Sequence, residues 1–183
     1  MKKITPESSV WRQLGLCSVA ILLFGCASKQ INQNIPIVRE DQVWIERQRL
    51  PQRLTIPVKG VSRDQLRDTW GAARSSGRRH QGIDIFAARG TPICSSTSAV
   101  VQRIRDSGIG GKAIWLLGPE GSRHYYAHLD QFAKLRVGQR LRAGDRIGTV
   151  GNTGNARGGR PHLHYELHLA GQGAVNPYSY LMR

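Results

Sequence analysis

The stretch "PHLHYELHL", residues 161–169, sets two histidines, a glutamate and a third histidine on alternate positions: His162, His164, Glu166 and His168. Successive side chains of a β-strand point to opposite faces, so residues two apart share one. Read as a strand, the stretch turns all four groups the same way. A row of imidazoles is costly to bury without partners and wasteful to expose, so this face points to a site.

The surrounding texture supports a strand. From Val58 onward, glycine recurs every several residues, and short apolar runs lie between: "AVVQRI" (99–104), "KAIWLL" (112–117), "RHYYAHL" (123–129) and "DRIGTV" (145–150). Turn signals separate them at "SGIGG" (107–111), "GPEGS" (118–122), "RAGD" (142–145) and "GNTGNARGGRP" (151–161). Short strands at this spacing predict an all-β sandwich or barrel. One short helix is expected at "SRDQLRDTW" (62–70), with Ser62 as N-cap and Asp64 in the first turn. "VGQRLRAGDRIGTVG" (137–151) reads as a hairpin with a type I or II turn at Ala143 and Gly144.

The chain has 183 residues, 39% of them hydrophobic and 21% charged, enough apolar material for one domain with extensions. Its formal net charge of +15 implies an anionic neighbour. At the N-terminus, Lys2, Lys3 and Arg12 precede the apolar run "LGLCSVAILLF" (14–24). That run is too short to span a bilayer and has the form of a secretory signal. "LLFGCAS" (22–28) resembles the lipobox of bacterial lipoproteins, which implies lipidation at Cys26. Ala27 and Ser28 follow it in place of an aspartate, so the implied address is the outer membrane, facing the periplasm. The expected division is a lipoprotein signal peptide over residues 1–25, a polar tether over 26–54 with a short helix within "EDQVWIERQRL" (40–50), and a globular domain over 55–183. Of the three cysteines, Cys17 leaves with the signal and Cys26 takes the lipid. Cys94 remains as a small core residue, with no disulfide partner.

Two further segments carry polar groups suited to metal chemistry. "RHQGIDIF" (79–86) places His80 and Asp84 four apart around Gly82, on one face of an extended segment. "YYAHLD" (125–130) brings His128 to a strand end. Imidazole nitrogens and a carboxylate oxygen are zinc ligands, and a catalytic zinc site uses three of them. Which three of the five candidates serve is open at this level.

The motifs "HQGID" (80–84), "YYAHL" (125–129) and "PHLHYE" (161–166) closely resemble those of the lysostaphin-type, or LytM-like, zinc endopeptidases of bacterial cell walls, the M23 peptidase family. The framing phrases "ARGTPI" (88–93), "VGQRLRAGDRIGTVGNTG" (137–154) and "VNPYSYL" (175–181) fit the same family, and the resemblance covers residues 55–181. It implies an all-β fold, an antiparallel sheet forming an open groove with minor helix. It implies one Zn2+ per chain held by His80, Asp84 and His164, with His128 and His162 as the catalytic pair. Glu166 then supports the ligands from behind, and His168 lies beyond the motif without a role. Some relatives place a tyrosine ahead of the first motif to hold an oxyanion; here "WGAARSSGRRH" (70–80) offers Arg74 in its stead.

The resemblance further implies cleavage of peptidoglycan peptide stems or cross-links. The implied partners are peptidoglycan, the membrane through the N-terminal lipid, and a cell-envelope protein. The alternative is a non-cleaving LytM-like activator of a cell-wall amidase. Such proteins lose members of the metal and catalytic set, whereas all five positions here are filled. Nucleic acid is not an expected partner: the signal peptide directs the chain outward, and aromatics are only 7% with no stacking motif.

Overall fold

The computed structural model describes residues 37–183. Residues 161–169 contain the expected strand, with the alternation its sequence requires: Leu163, Tyr165 and Leu167 are buried, while His162, His164, Glu166 and His168 are half-buried on the other face. In chain order the elements are α1 (Arg39–Glu46), β1 (Ile83–Phe86), β2 (Pro92–Cys94), β3 (Ala99–Asp106), β4 (Lys112–Leu117), β5 (Arg123–Phe132), β6 (Arg140–Leu141), β7 (Arg146–Val150), β8 (His162–Leu169), β9 (Gly173–Val175) and α2 (Tyr178–Met182).

The nine strands form one antiparallel sheet; six follow the order β1-β8-β5-β4-β3-β6, and β2, β7 and β9 pair off this path, β9 with β8. The two-sheet sandwich and the closed barrel both give way to this arrangement. The ten-residue β5 pairs with β4 and β8 along its first part and with β7 near its end, and β7 carries β2, so a single sheet branches. The result is the mostly antiparallel sheet with an open groove and little helix implied by the family resemblance. One face is apolar: Ile83 and Ile85 of β1, Ile114 and Leu116 of β4, Tyr126 of β5 and the three apolar residues of β8 pack with Ile93, Ile147 and Val150 from the β2–β7 arm. Each large aliphatic side chain buried there contributes about 1.5–3 kcal/mol. The opposite face of β1, β8 and β5 is left for chemistry.

Three local expectations change. The turn at residues 142–145 forms, with Gly144 at φ 90° as the third position of a type II turn requires. Asp145 N–H donates to the Arg142 carbonyl (3.1 Å). The flanking strands do not pair with each other, however: β6 joins β3, and β7 joins β2 and β5, so there is no hairpin. The helix expected over 62–70 is one 3-10 turn, Arg63–Gln65. Ser62 starts it as expected, its N–H donating to Gln65 Oε1 (2.9 Å), but only Leu66 in this stretch is buried, too little apolar face to sustain a helix. Finally, the described part of the expected tether lies on the domain. Helix α1 seats Ile45 against Val100 and Leu117, Asp41 accepts a bond from Arg140 Nε (2.7 Å), and Leu54 is buried. The signal peptide, Cys26 and the start of the tether fall outside the described residues.

Candidate active site

The register of β1, β8 and β5 puts Asp84 opposite His164 and His164 opposite Ala127. His80 enters from the loop ahead of β1, and His128 follows Ala127 where β5 departs from regular pairing. Gly82 permits the approach of β1 to β8: a Cβ there would meet the Tyr165 carbonyl oxygen at 2.3 Å and His164 Cε1 at 3.0 Å. His80, Asp84, His128, His162 and His164 all line one groove of about 690 Å³.

Hydrogen bonds settle the tautomers. His80 Nδ1 lies 2.7 Å from the Thr69 carbonyl, which can only accept, so Nδ1 carries the proton and Nε2 presents a lone pair. His164 Nε2 lies 2.7 Å from Glu166 Oε1 and donates to it, leaving Nδ1 facing inward. His80 Nε2, His164 Nδ1 and Asp84 Oδ1 then form a triangle with sides of 2.8, 3.2 and 3.1 Å. Three electron-rich atoms this close repel one another unless a cation sits among them. Two imidazole nitrogens and one carboxylate oxygen are also a zinc donor set. The residues therefore fit a metal, and among the described residues they form the one His/Cys/Asp/Glu cluster with convergent ligand atoms.

The surroundings sharpen these properties. Burial alone would raise the Asp84 carboxyl; without a metal, a proton shared between Oδ1 and the His164 or His80 nitrogen facing it, together with the Arg74 guanidinium on Oδ2, holds it far below the usual carboxylate range. Arg74 Nη2 sits 2.5 Å from Asp84 Oδ2, on the oxygen turned away from the triangle. Glu166 would likewise be raised by burial, and bonds from His164 and His168 bring it down to about 2. Burial opposes protonation of His164, yet the Asp84 and Glu166 carboxylates outweigh it and raise its pKa.

Beside the triangle, His128 donates Nδ1–H to the Thr153 carbonyl (2.9 Å) and His162 donates Nδ1–H to the Arg160 carbonyl (2.8 Å). Both therefore keep Nε2 as a lone pair. The two rings stand 5.1 Å apart, and His162 Nε2 is 3.8 Å from Asp84 Oδ1. Burial, then the neighbouring His162, press the His128 pKa down to about 4, so this ring is neutral at pH 7. His128 has φ 64°, a left-handed backbone uncommon outside glycine, and its N–H donates to the Gly110 carbonyl (2.9 Å).

A three-atom ligand set and two free imidazole bases thus share one groove on an antiparallel sheet. The model for peptidase family M23 matches residues 78–177. The chain belongs to that family. An L-Ala–D-Glu endopeptidase of Bacillus subtilis is 37% identical over 126 residues, 63% of this chain and 39% of that protein. The peptidoglycan DD-endopeptidase ShyC of Vibrio cholerae is 34% identical over 94 residues, 51% of this chain and 21% of that protein. The catalytic domain of lysostaphin from Staphylococcus simulans superposes with a TM-score of 0.58 at 28% identity, covering 66% of this chain and 96% of that domain. The chain thus spans well under half the length of these two curated relatives. Membership makes this M23 domain a hydrolase of a metallopeptidase family, with peptidoglycan endopeptidases among its homologues.

Arg74, His80, Asp84, His128, His162, His164 and Glu166, seven of the site residues expected from the sequence, all line the groove. Arg74 contacts Asp84 and Glu166 contacts His164, while Cys26 is outside the described residues. His168, expected to have no role, bonds Glu166 (2.6 Å) and packs its ring edge-on to Trp115, 5.1 Å between centroids. Sequence reading missed Thr69 and Thr153. Thr69 holds His80 through its carbonyl and accepts Asp84 N–H on Oγ1 (3.0 Å), and Thr153 holds His128. A carbonyl belongs to every residue, so no sequence signal marks the first and last of these contacts.

Proposed function

We propose that this chain is a zinc-dependent endopeptidase that cleaves peptide stems or cross-links of peptidoglycan. The observation that carries the reading is the pairing of the His80–Asp84–His164 triangle with two imidazoles whose Nε2 lone pairs are free. His80 Nε2, Asp84 Oδ1 and His164 Nδ1 would hold the metal. Zinc there would supply a Lewis acid that polarises a peptide carbonyl and acidifies water at neutral pH. Glu166 fixes His164 in the tautomer that presents Nδ1, and Thr69 does the same for the Nε2 of His80.

His128 and His162 handle protons. His128 enters neutral, oriented by Thr153, and so can accept a proton from the attacking water. Between them the two rings carry that proton to the departing amine, the general acid–base role that commonly falls to histidine. Partial burial of the site strengthens each of these interactions relative to water.

The envelope setting follows from the same reading. The proposed mature protein is lipid-anchored through Cys26 at the outer membrane, facing the periplasm, where peptidoglycan is within reach. Cys26→Ser should move the protein from the membrane fraction to the soluble one or leave an unprocessed precursor; acyl-free wild-type protein would remove the anchor from the proposal. For the activity, the full chain supplied with zinc is incubated with purified peptidoglycan and the products are weighed by mass spectrometry. Release of peptides, blocked by chelator and restored by zinc, is the expected result. Intact peptidoglycan after incubation with zinc-loaded protein would defeat the reading.

A further inference from the structure

The groove is rimmed by arginine. Arg78 and Arg79 close the loop leading into His80, and Arg160 stands just before Pro161 and His162; all three are exposed and line the groove. Strands β1 and β8 run antiparallel, with Asp84 opposite His164 and Phe86 opposite His162. Arg78 and Arg79 therefore lie off one end of this strand pair and Arg160 off the other, with the ligand triangle between.

These guanidinium groups are held but not neutralised. Arg78 Nε donates to the Ser75 carbonyl (3.3 Å), Arg79 Nη1 to the Gly71 carbonyl (3.2 Å), and Arg160 lies over the Phe86 ring, 4.8 Å from its centroid. Among the described residues none of the three has a carboxylate within ion-pair distance. The two carboxylates in the groove are committed elsewhere, Asp84 to Arg74 and the histidines, Glu166 to His164 and His168. The groove thus presents cationic forks at both ends with nothing of its own to meet them. An arginine fork matches a carboxylate in a charge-assisted, often two-pronged hydrogen bond. An uncharged chain offers it only carbonyl oxygens, which are weaker acceptors for a cation than a carboxylate.

We propose that Arg78, Arg79 and Arg160 determine specificity, selecting an acidic peptide with free carboxylates on both sides of the bond to be cut over an uncharged one such as a run of glycines. The inference rests on the peptidase reading of the same groove and names its substrate class.

The test uses the full, zinc-loaded chain and two synthetic cross-linked stem peptides, identical except that one keeps its free carboxylates and the other has every carboxylate amidated. The ratio of kcat/KM is read for each, and the affinity of each is measured by calorimetry on zinc-loaded His128→Asn protein. The free-acid peptide should be favoured on the order of 10- to 100-fold, mostly through KM, and the margin should shrink at high salt. The double variant Arg78→Gln/Arg79→Gln and, independently, Arg160→Gln should each collapse the ratio several-fold, with zinc content and melting temperature unchanged. Equal cleavage of the two peptides by wild type, or a ratio that survives both variants, overturns the proposal and leaves the peptidase reading standing. If neither peptide is cut but the free acid still binds more tightly in an arginine-dependent way, the peptidase reading falls and the carboxylate selectivity stands as a binding property.

Discussion

Glu166 Oε1 lies 2.7 Å from His164 Nε2, two residues along β8 on the same open face. The contact makes His164 Nε2 the donor and turns Nδ1 into the triangle. Glu166→Gln can still accept a bond there but loses the charge that makes His164 a better ligand. Metal affinity should fall about 10- to 100-fold with the fold unchanged. Competition against a chromophoric chelator measures this; wild-type affinity in Glu166→Gln would show that the carboxylate only fills space.

The triangle itself predicts which substitutions abolish metal binding. Asp84→Ala and His164→Ala each remove a ligand atom, so both should purify without stoichiometric zinc, whereas wild type should hold about one per chain. Asp84→Ala also frees the Arg74 guanidinium toward the site, which adds repulsion to the lost ligand. Atomic absorption on dialysed protein decides the matter. Full zinc occupancy in both variants would mean that other residues bind the metal.

These assignments show where the sequence was informative. Strand β8 and its open face follow from a period of two, because the pleat alone decides which side chains share a face. Pairing partners do not follow from local signals: Gly144 makes a turn, but whether β6 and β7 then lie together depends on the edges that β3, β2 and β5 offer. His168 looked idle because its partners, Glu166 on the same strand and Trp115 two strands away, are joined only by side-chain reach and sheet register. The left-handed backbone of His128 was equally hidden, since nothing in "YYAHLD" marks a bend that only the Gly110 contact explains.

His124 gives the fold a pH dependence separate from the site. It is fully buried; Ser122 Oγ donates to the Pro119 carbonyl (2.7 Å) and so accepts His124 Nε2–H (3.2 Å), while Tyr165 O–H bonds Nδ1 (2.8 Å). Burial, and then the neighbouring His168, press its pKa down to about 3. In the unfolded chain the ring titrates near its ordinary value of about 6.5. Above that pH it is neutral in both states and costs nothing. As pH falls toward about 3 the unfolded chain binds the extra proton, so stability declines by up to about 1.4 kcal/mol per pH unit from this group. His124→Gln should be less stable at pH 7, yet its denaturation midpoint should vary less as pH falls from about 6.5 toward about 3, the two limits of this titration. Parallel curves for the two proteins would remove His124 from the acid response.

The last prediction separates chemistry from scaffolding at His128. Its φ of 64° lies in the left-handed region, which asparagine adopts at least as readily as histidine. His128→Asn should therefore fold at least as well as wild type, keep its N–H bond to the Gly110 carbonyl, and retain zinc, because no ligand atom is lost. What it loses is the neutral Nε2 base. If His128 moves protons in the reaction, kcat should drop on the order of 10²–10⁴-fold while KM for a peptidoglycan peptide changes little. If the residue merely shapes the loop wall, the variant should cut peptidoglycan at close to the wild-type rate. Zinc content, melting temperature and kcat measured on one preparation distinguish the two, since a folded, zinc-loaded and fully active His128→Asn enzyme is incompatible with a catalytic role for this imidazole.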